Sequence, residues 1–142
     1  MAEHCDSSPA DSPDSRWDLE HSIPSLRIMT MPKDTNNLGT IFGGVILSYI
    51  DQAGDIEARK QGPFRWVTVA LDKVIFHAPV FVGDIVNLHT RTIRVGTTSI
   101  TVLVLVQVER FTTREIADVT EAQLTFVAVD ECGRPTPVTR RQ

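Results

Sequence analysis

The amino-acid sequence predicts an α+β domain in which a curved antiparallel sheet of about five to six strands wraps one long central helix. Three observations point there. Only residues 43–60 carry sustained helical periodicity, and that stretch is apolar around much of its girth. After it come runs rich in β-branched residues at 66–74, 85–95, 98–109 and 115–129, separated by turn residues. These runs follow one another through short connections, which favours antiparallel pairing over the long crossovers that a parallel sheet needs.

Residues 1–22 (MAEHCDSSPADSPDSRWDLEHS) are rich in Ser, Asp and Pro and poor in aliphatics. Such a segment cannot bury enough surface to offset its ordering entropy, so a flexible N-terminal tail is expected, with Trp17 and Leu19 able to dock. A single domain is expected over 23–138, and a polar C-terminal end at 139–142. Residues 25–31 read as a short first strand stopped by Pro32. A loop rich in Asn and Gly then leads into the helix, about 27 Å long. Ile46, Ile50 and Ala53 share its core-facing stripe, with Tyr49 and Ile56 beside it. Leu47, Asp51, Gly54 and Ala58 form a second stripe, and Ser48, Gln52, Asp55 and Arg59 the polar flank. Gln61-Gly62-Pro63 ends the helix.

In the strands, Ile100, Val102, Val104, Val106 and Val108 alternate onto one face, as do Ala122, Leu124, Phe126 and Ala128. Val82-Gly83-Asp84 and Asp130-Glu131-Cys132-Gly133 read as turns. A small domain with such long strands leaves a sheet edge and apolar surface uncovered. At least a homodimer is therefore expected, with strands pairing or helices packing between copies.

The totals bound the chemistry. A chain of 142 residues fits one domain, with 42% hydrophobic and 23% charged residues. A net charge of -4 argues against nucleic acid as the partner. Cys5 and Cys132 lie far apart with no Cys/His cluster, which indicates neither a metal site nor a disulfide scaffold and fits a reducing cytoplasm. No basic-then-apolar leader opens the sequence and no apolar run reaches about 18 residues, so a soluble cytoplasmic protein with no membrane association is expected.

Two features suggest acyl chemistry. Gly43 and Gly44 stand at the helix start, where bare backbone N–H groups and the positive end of the helix dipole can hold an anion or a developing oxyanion. The ordinary alternative is two glycines that ease tight packing. Asp51 follows two turns on. Its ordinary explanation is a partly exposed helix carboxylate bonded to a neighbour, but Leu47, Gly54 and Ala58 on its stripe would desolvate it and make it a better base. Gly54 would leave room for a substrate or another backbone. Asn36 and Asn37 suit turn work. His77 reads as a packed or turn histidine, and His89 as a mid-strand residue on the solvated face. No serine or cysteine stands in a nucleophile-elbow or papain-like context, and Gly39 and Gly43-Gly44 lack the phosphate-loop spacings.

In order along the chain, Met31-Pro32, Asp34-Thr35-Asn36, Gly39, Ile41-Phe42-Gly43-Gly44 and Asp51 resemble the acyl-CoA thioesterases of the hotdog superfamily, most closely the YciA-like group related to animal cytosolic acyl-CoA hydrolases. Val67-Thr68-Val69, Phe76 with Pro79, Val82-Gly83-Asp84, Gly96-Thr97-Thr98-Ser99, Thr120-Glu121-Ala122 and Val127-Ala128-Val129-Asp130 continue the match, which covers roughly residues 26–137. The resemblance implies a hotdog fold, dimers with sites at the subunit interface, commonly a trimer of dimers (a hexamer), and hydrolysis of acyl-CoA in fatty acid metabolism without metal or cofactor. It makes Asp51 the catalytic general base or nucleophile, Asn36 a placer of water or thioester, often from the opposite subunit, and the Gly43-Gly44 amides the carbonyl's polarisers. Thr68 and Gly96-Thr97-Thr98-Ser99 would contact substrate or CoA. Arg94, with Arg91, is a candidate for the CoA phosphates, though solvated strand arginines explain both. Asp55, Leu38, Thr40 and His77 depart from the family pattern and bear on chain-length preference. The alternatives are a non-catalytic acyl-CoA-binding hotdog module and a thioesterase acting on an acyl-carrier-protein substrate. A hotdog dehydratase fits poorly, because His77 has the wrong spacing from the helix.

Overall fold

The computed structural model describes residues 17–138. Its elements are β1 (Leu26–Met29), a 3-10 turn (Pro32–Asp34), α1 (Gly43–Arg59), β2 (Arg65–Asp72), β3 (Ile85–Val95), β4 (Ser99–Glu109) and β5 (Ile116–Val129). The five strands form one antiparallel sheet in the order β1-β3-β4-β5-β2. All five touch α1, so the sheet curls around the helix as the hotdog resemblance implies. Register shifts at Thr68/Ala70 in β2 and Thr92/Arg94 in β3 supply local bends.

The alternation read in the strands places the core. Ile100, Val102, Val104, Val106 and Val108 of β4 are buried, as are Ala122, Leu124, Phe126 and Ala128 of β5. Ile46, Ile50 and Ala53 meet them from the helix. Ile56, expected beside that stripe, is exposed; the buried residue one place on is Glu57, 6% accessible. Helical spacing puts position 57 in line with 46, 50 and 53. Its carboxylate is satisfied there: Thr90 Oγ1 donates to Oε1 (2.8 Å), Thr92 Oγ1 to Oε2 (2.9 Å), and Lys60 Nζ to Oε1 (3.1 Å).

His89 is also not where the sequence reading put it. It is 5% accessible, because the segment before β1 covers the outer face of the sheet. Trp17 packs on Leu103 and Leu105 with Leu19 beside it, and its Nε1 donates to Glu121 (3.3 Å). Ser22 Oγ bonds His89 Nδ1 (2.8 Å). The expected tail boundary after residue 22 therefore falls within a docked stretch, while residues 1–16 and 139–142 lie outside the described residues. At the other end, Thr136 N–H donates to Ala128 O and Val138 N–H to Thr97 O, both at 2.8 Å, so the segment after β5 folds back on the sheet.

Asp84 organises the connection that leads into β3. It is 2% accessible, pairs with Arg110 Nη1 at 2.6 Å, and accepts the N–H groups of Phe81 (2.9 Å) and Phe111 (3.3 Å). Arg110 also donates to Pro79 O (2.9 Å) and lies over the Phe81 ring. This hub fixes residues 79–81 beside the start of α1, where Ile41 N–H meets Val80 O (2.8 Å).

Two outcomes follow. Asp84→Ala leaves a largely buried guanidinium without its counter-ion and two N–H groups without their acceptor, and should cost about 3–5 kcal/mol in urea unfolding. Burial pushes the His89 imidazole below its usual range. The unfolded chain then takes up this proton more readily, so His89 contributes stability above about pH 6.5 that is lost as pH falls. Unfolding free energy should fall less steeply on acidification in His89→Gln than in the wild type.

Candidate active site

Asn36 builds the loop that delivers the chain to the helix. Its Oδ1 accepts from Leu38 N–H (2.8 Å) and Thr40 N–H (3.1 Å), its Nδ2 donates to Thr40 Oγ1 (2.9 Å), and its own N–H donates to Thr40 O (2.8 Å). Gly39, at φ +86°, supplies the left-handed step. Asn36 thus performs turn work, with one amide hydrogen uncommitted among the described residues. No hydrogen bond joins it to Asp51 among those residues.

Phe42 N-caps α1 without any side-chain bond, and its carbonyl accepts from Val45 (3.0 Å) and Ile46 (3.4 Å). The N–H groups of Gly43 and Gly44 are left without an acceptor among the described residues, at the positive end of the dipole. Both glycines are exposed. A Cβ on Gly44 would meet nothing within 4 Å, and one on Gly43 only the Phe76 ring at 3.4 Å. Tight packing within the chain therefore does not explain them. Beside this mouth lies a cavity of about 160 Å³, whose lining includes Ile41, Gly43, Ile46, Phe76, Ala78 and Val80 and no charged residue. Phe76 was legible only as part of the resemblance; its place across Gly43 comes from the irregular connection after β2.

Asp51 is exposed in the single chain, against the expected desolvation. Gly54 and Ala58 turn into the core, whereas Asp51 turns toward β2, the edge of the sheet, where the described residues supply nothing further to cover it. The room expected at Gly54 is also taken: a Cβ there would stand 2.8 Å from the Phe126 ring. Thr68 Oγ1 donates to Asp51 Oδ1 (2.5 Å), so the structure sets Thr68 on the carboxylate. Asp55 pairs with Arg59 at 2.9 Å rather than with Asp51. Nearer the helix start, burial and the Asp34 charge push the Tyr49 phenol above its usual range.

The remaining candidates stand elsewhere. Gly96 N–H closes the β3–β4 hairpin on Ser99 O (2.7 Å), and the Thr97 and Thr98 carbonyls accept from Val138 (2.8 Å) and Ala128 (2.9 Å). Gln61, just past the helix, donates to Thr92 Oγ1 (3.2 Å), which places this hairpin and the exposed Arg94 at the helix's C-terminal end. Within one chain they are not brought to Gly43-Gly44. Nor is Asp51: it follows Gly43 by eight positions, a rise of about 12 Å. Even with its side chain leaning back toward the N-terminus, one carbonyl group cannot meet both at hydrogen-bond range.

The architecture, one helix inside a curled five-stranded antiparallel sheet, defines a hotdog domain. Residues 38–110 match the Thioesterase superfamily. The acyl-CoA thioester hydrolase YciA of Salmonella typhimurium is 40% identical over 116 residues, covering 80% of this chain and 87% of that protein. A hexameric hotdog fold thioesterase of Campylobacter jejuni is similar at TM-score 0.78 and 45% identity, over 82% of this chain and 90% of the other. A hexameric broad-specificity acyl-coenzyme A thioesterase is similar at TM-score 0.80 and 40% identity, over 85% and 84%. The chain belongs to the thioesterase superfamily, among its YciA-type acyl-CoA thioester hydrolases.

Because no packing demands a glycine at position 44, Gly44→Ala should leave the fold as stable as before or raise its stability by up to about 1 kcal/mol. Thermal unfolding checks this; a clear drop in Tm would show that the glycine serves packing after all.

Proposed function

We propose that this chain, assembled with copies of itself, hydrolyses acyl-CoA thioesters to a free carboxylic acid and CoA. The observation that carries the reading is the separation of its two half-sites along one helix. The open Gly43-Gly44 amides suit a developing oxyanion, and the exposed Asp51 suits proton transfer or attack. A second copy whose helix runs the opposite way would set its amides against this Asp51. The exposed edge strand β2, with Val69 56% accessible, is the surface such a copy would cover. The hexameric assembly of the relatives supports a homo-oligomer, with a trimer of dimers the form proposed here.

In this site Asp51 takes a proton from water, the hydroxide adds to the thioester carbon, and the oxyanion rests on the partner copy's helix start. The C–S bond then breaks, and the CoA thiolate leaves and is protonated. Alternatively Asp51 attacks the thioester carbon directly, the C–S bond breaks to release the CoA thiolate, and water cleaves the resulting anhydride to the free acid and the Asp51 carboxylate. Thr68 orients the carboxylate in either route. Asn36 places water or the thioester through its uncommitted amide hydrogen. The Gly96–Ser99 hairpin and Arg94 would hold the CoA portion, reached from a neighbouring copy's site. The reaction as drawn calls on no metal or cofactor. A cytoplasmic setting belongs to this reading, supported by the free, exposed Cys132. No helix among the described residues is long and apolar enough to cross a membrane.

Thiol release from a panel of acyl-CoAs tests the activity. Asp51→Asn should lower kcat by about 10²–10⁴-fold while substrate still binds; near-normal rates would show that the carboxylate is misassigned. Refolded one-to-one mixtures of Asn36→Ala and Asp51→Asn chains test the shared site. If each site draws one residue from each copy of a dimer, random pairing restores about one quarter of the wild-type sites. No recovery would place both residues in a site within one chain.

A further inference from the structure

We propose that the cavity beside Gly43 seats the acyl chain and that the Phe76 ring sets how long a chain it accepts, an inference that rests on the acyl-CoA reading above. Gly43 belongs to both parts: its N–H faces the place of the carbonyl oxygen, and its backbone lines the cavity. A carbonyl held there presents its first chain carbons to the cavity mouth. The walls carry no charge, with apolar side chains on the core side and Thr40 adding polar surface beside them. Ile41, Ile46 and Val80 form them from the core side, all nearly fully buried, and no charged side chain takes part. An apolar cavity of roughly 150 Å³ accepts benzene, a guest of six carbons. At about 160 Å³, this one holds an acyl chain of about four to six carbons.

Only one wall can give way. Ile41, Ile46 and Val80 are locked in the core, whereas Phe76 is 43% accessible and sits on the irregular connection between β2 and β3. The backbone around it is held: His77 N–H donates to Val119 O (2.7 Å), and Pro79 O accepts from Arg110 (2.9 Å). The ring can therefore swing toward solvent without opening the core, and a longer chain must displace it. Ala78, on the same connection, is the place where added bulk would shorten the cavity.

The test is kcat/KM for butyryl-, hexanoyl-, octanoyl- and decanoyl-CoA, read by thiol release on the intact protein. The wild type should fall about tenfold or more between hexanoyl- and decanoyl-CoA. Phe76→Ala should raise the decanoyl-to-butyryl ratio about tenfold. Ala78→Leu should shift the limit the other way and lower the hexanoyl-to-butyryl ratio. A flat wild-type profile overturns the proposal. So does a Phe76→Ala ratio within about twofold of wild type while butyryl-CoA is still cleaved, and in both cases the hydrolase reading stands. If Phe76→Ala does not fold, Ala78→Leu decides alone: an unchanged profile overturns the proposal and a shorter limit supports it. A wild type that cleaves no CoA ester at all overturns the activity and this inference together.

Discussion

The burial of a single helix stripe governs the rest of the structure. Ile46, Ile50 and Ala53 pack against the inner faces of β4 and β5, and this fixes the rotation of α1 about its own axis. Asp51 is one residue past Ile50, so it turns about 100° away from the core. It arrives at the edge strand β2, where Thr68 meets it. The same packing fixes the helix along its length and leaves Gly43 and Gly44 at the mouth of the curled sheet. Neither half-site has to be held by its own network; both inherit their positions from apolar contacts on the opposite side of the helix.

Where the sequence reading worked, the physical signal was strong. The β4 and β5 patterns alternate over many residues, and a one-residue slip would have turned every valine to the wrong face. The helix is bounded by Gly43-Gly44 and Gly62-Pro63, so its limits fell within a residue of those observed. What remained hidden depended on which distant segment covers which surface. His89 reads as a solvated strand residue until Trp17 to Ser22 lie over the outer face. Nothing local marks Glu57 as a buried residue; Thr90 and Thr92, on a strand more than thirty positions away, supply its donors. The pairing of β2 with β5 at the far edge carries no local mark at all, and that pairing is what leaves Asp51 uncovered in the single chain.

The three glycines of α1 show how little residue type alone decides. Gly54 is a packing glycine, since a methyl group there would press on the fully buried Phe126. Gly43 and Gly44 have space beside them, and at neither position does φ lie in the left-handed region. Packing accounts for the first and not for the other two. Glycine at a helix start lowers stability relative to alanine. Two glycines there, with space beside both, leave the main-chain donors open. That is the behaviour expected where main-chain donors must reach something other than the chain itself.

Desolvation of Asp51 and assembly of the protein can therefore be one event. In a lone chain the carboxylate is exposed and bonded to Thr68. The surface around it is the unpaired side of β2, with Val67 and Val69 exposed, which in water favours contact with another copy. A copy that covers this edge with its helix running the opposite way removes water from Asp51. In the proposed dimer the same contact would supply open amides, which within the first chain lie about 12 Å along the helix from Asp51. On the function proposed above, the two groups would meet only once the oligomer forms, and the energy of association would supply the low-dielectric environment for hydrolysis.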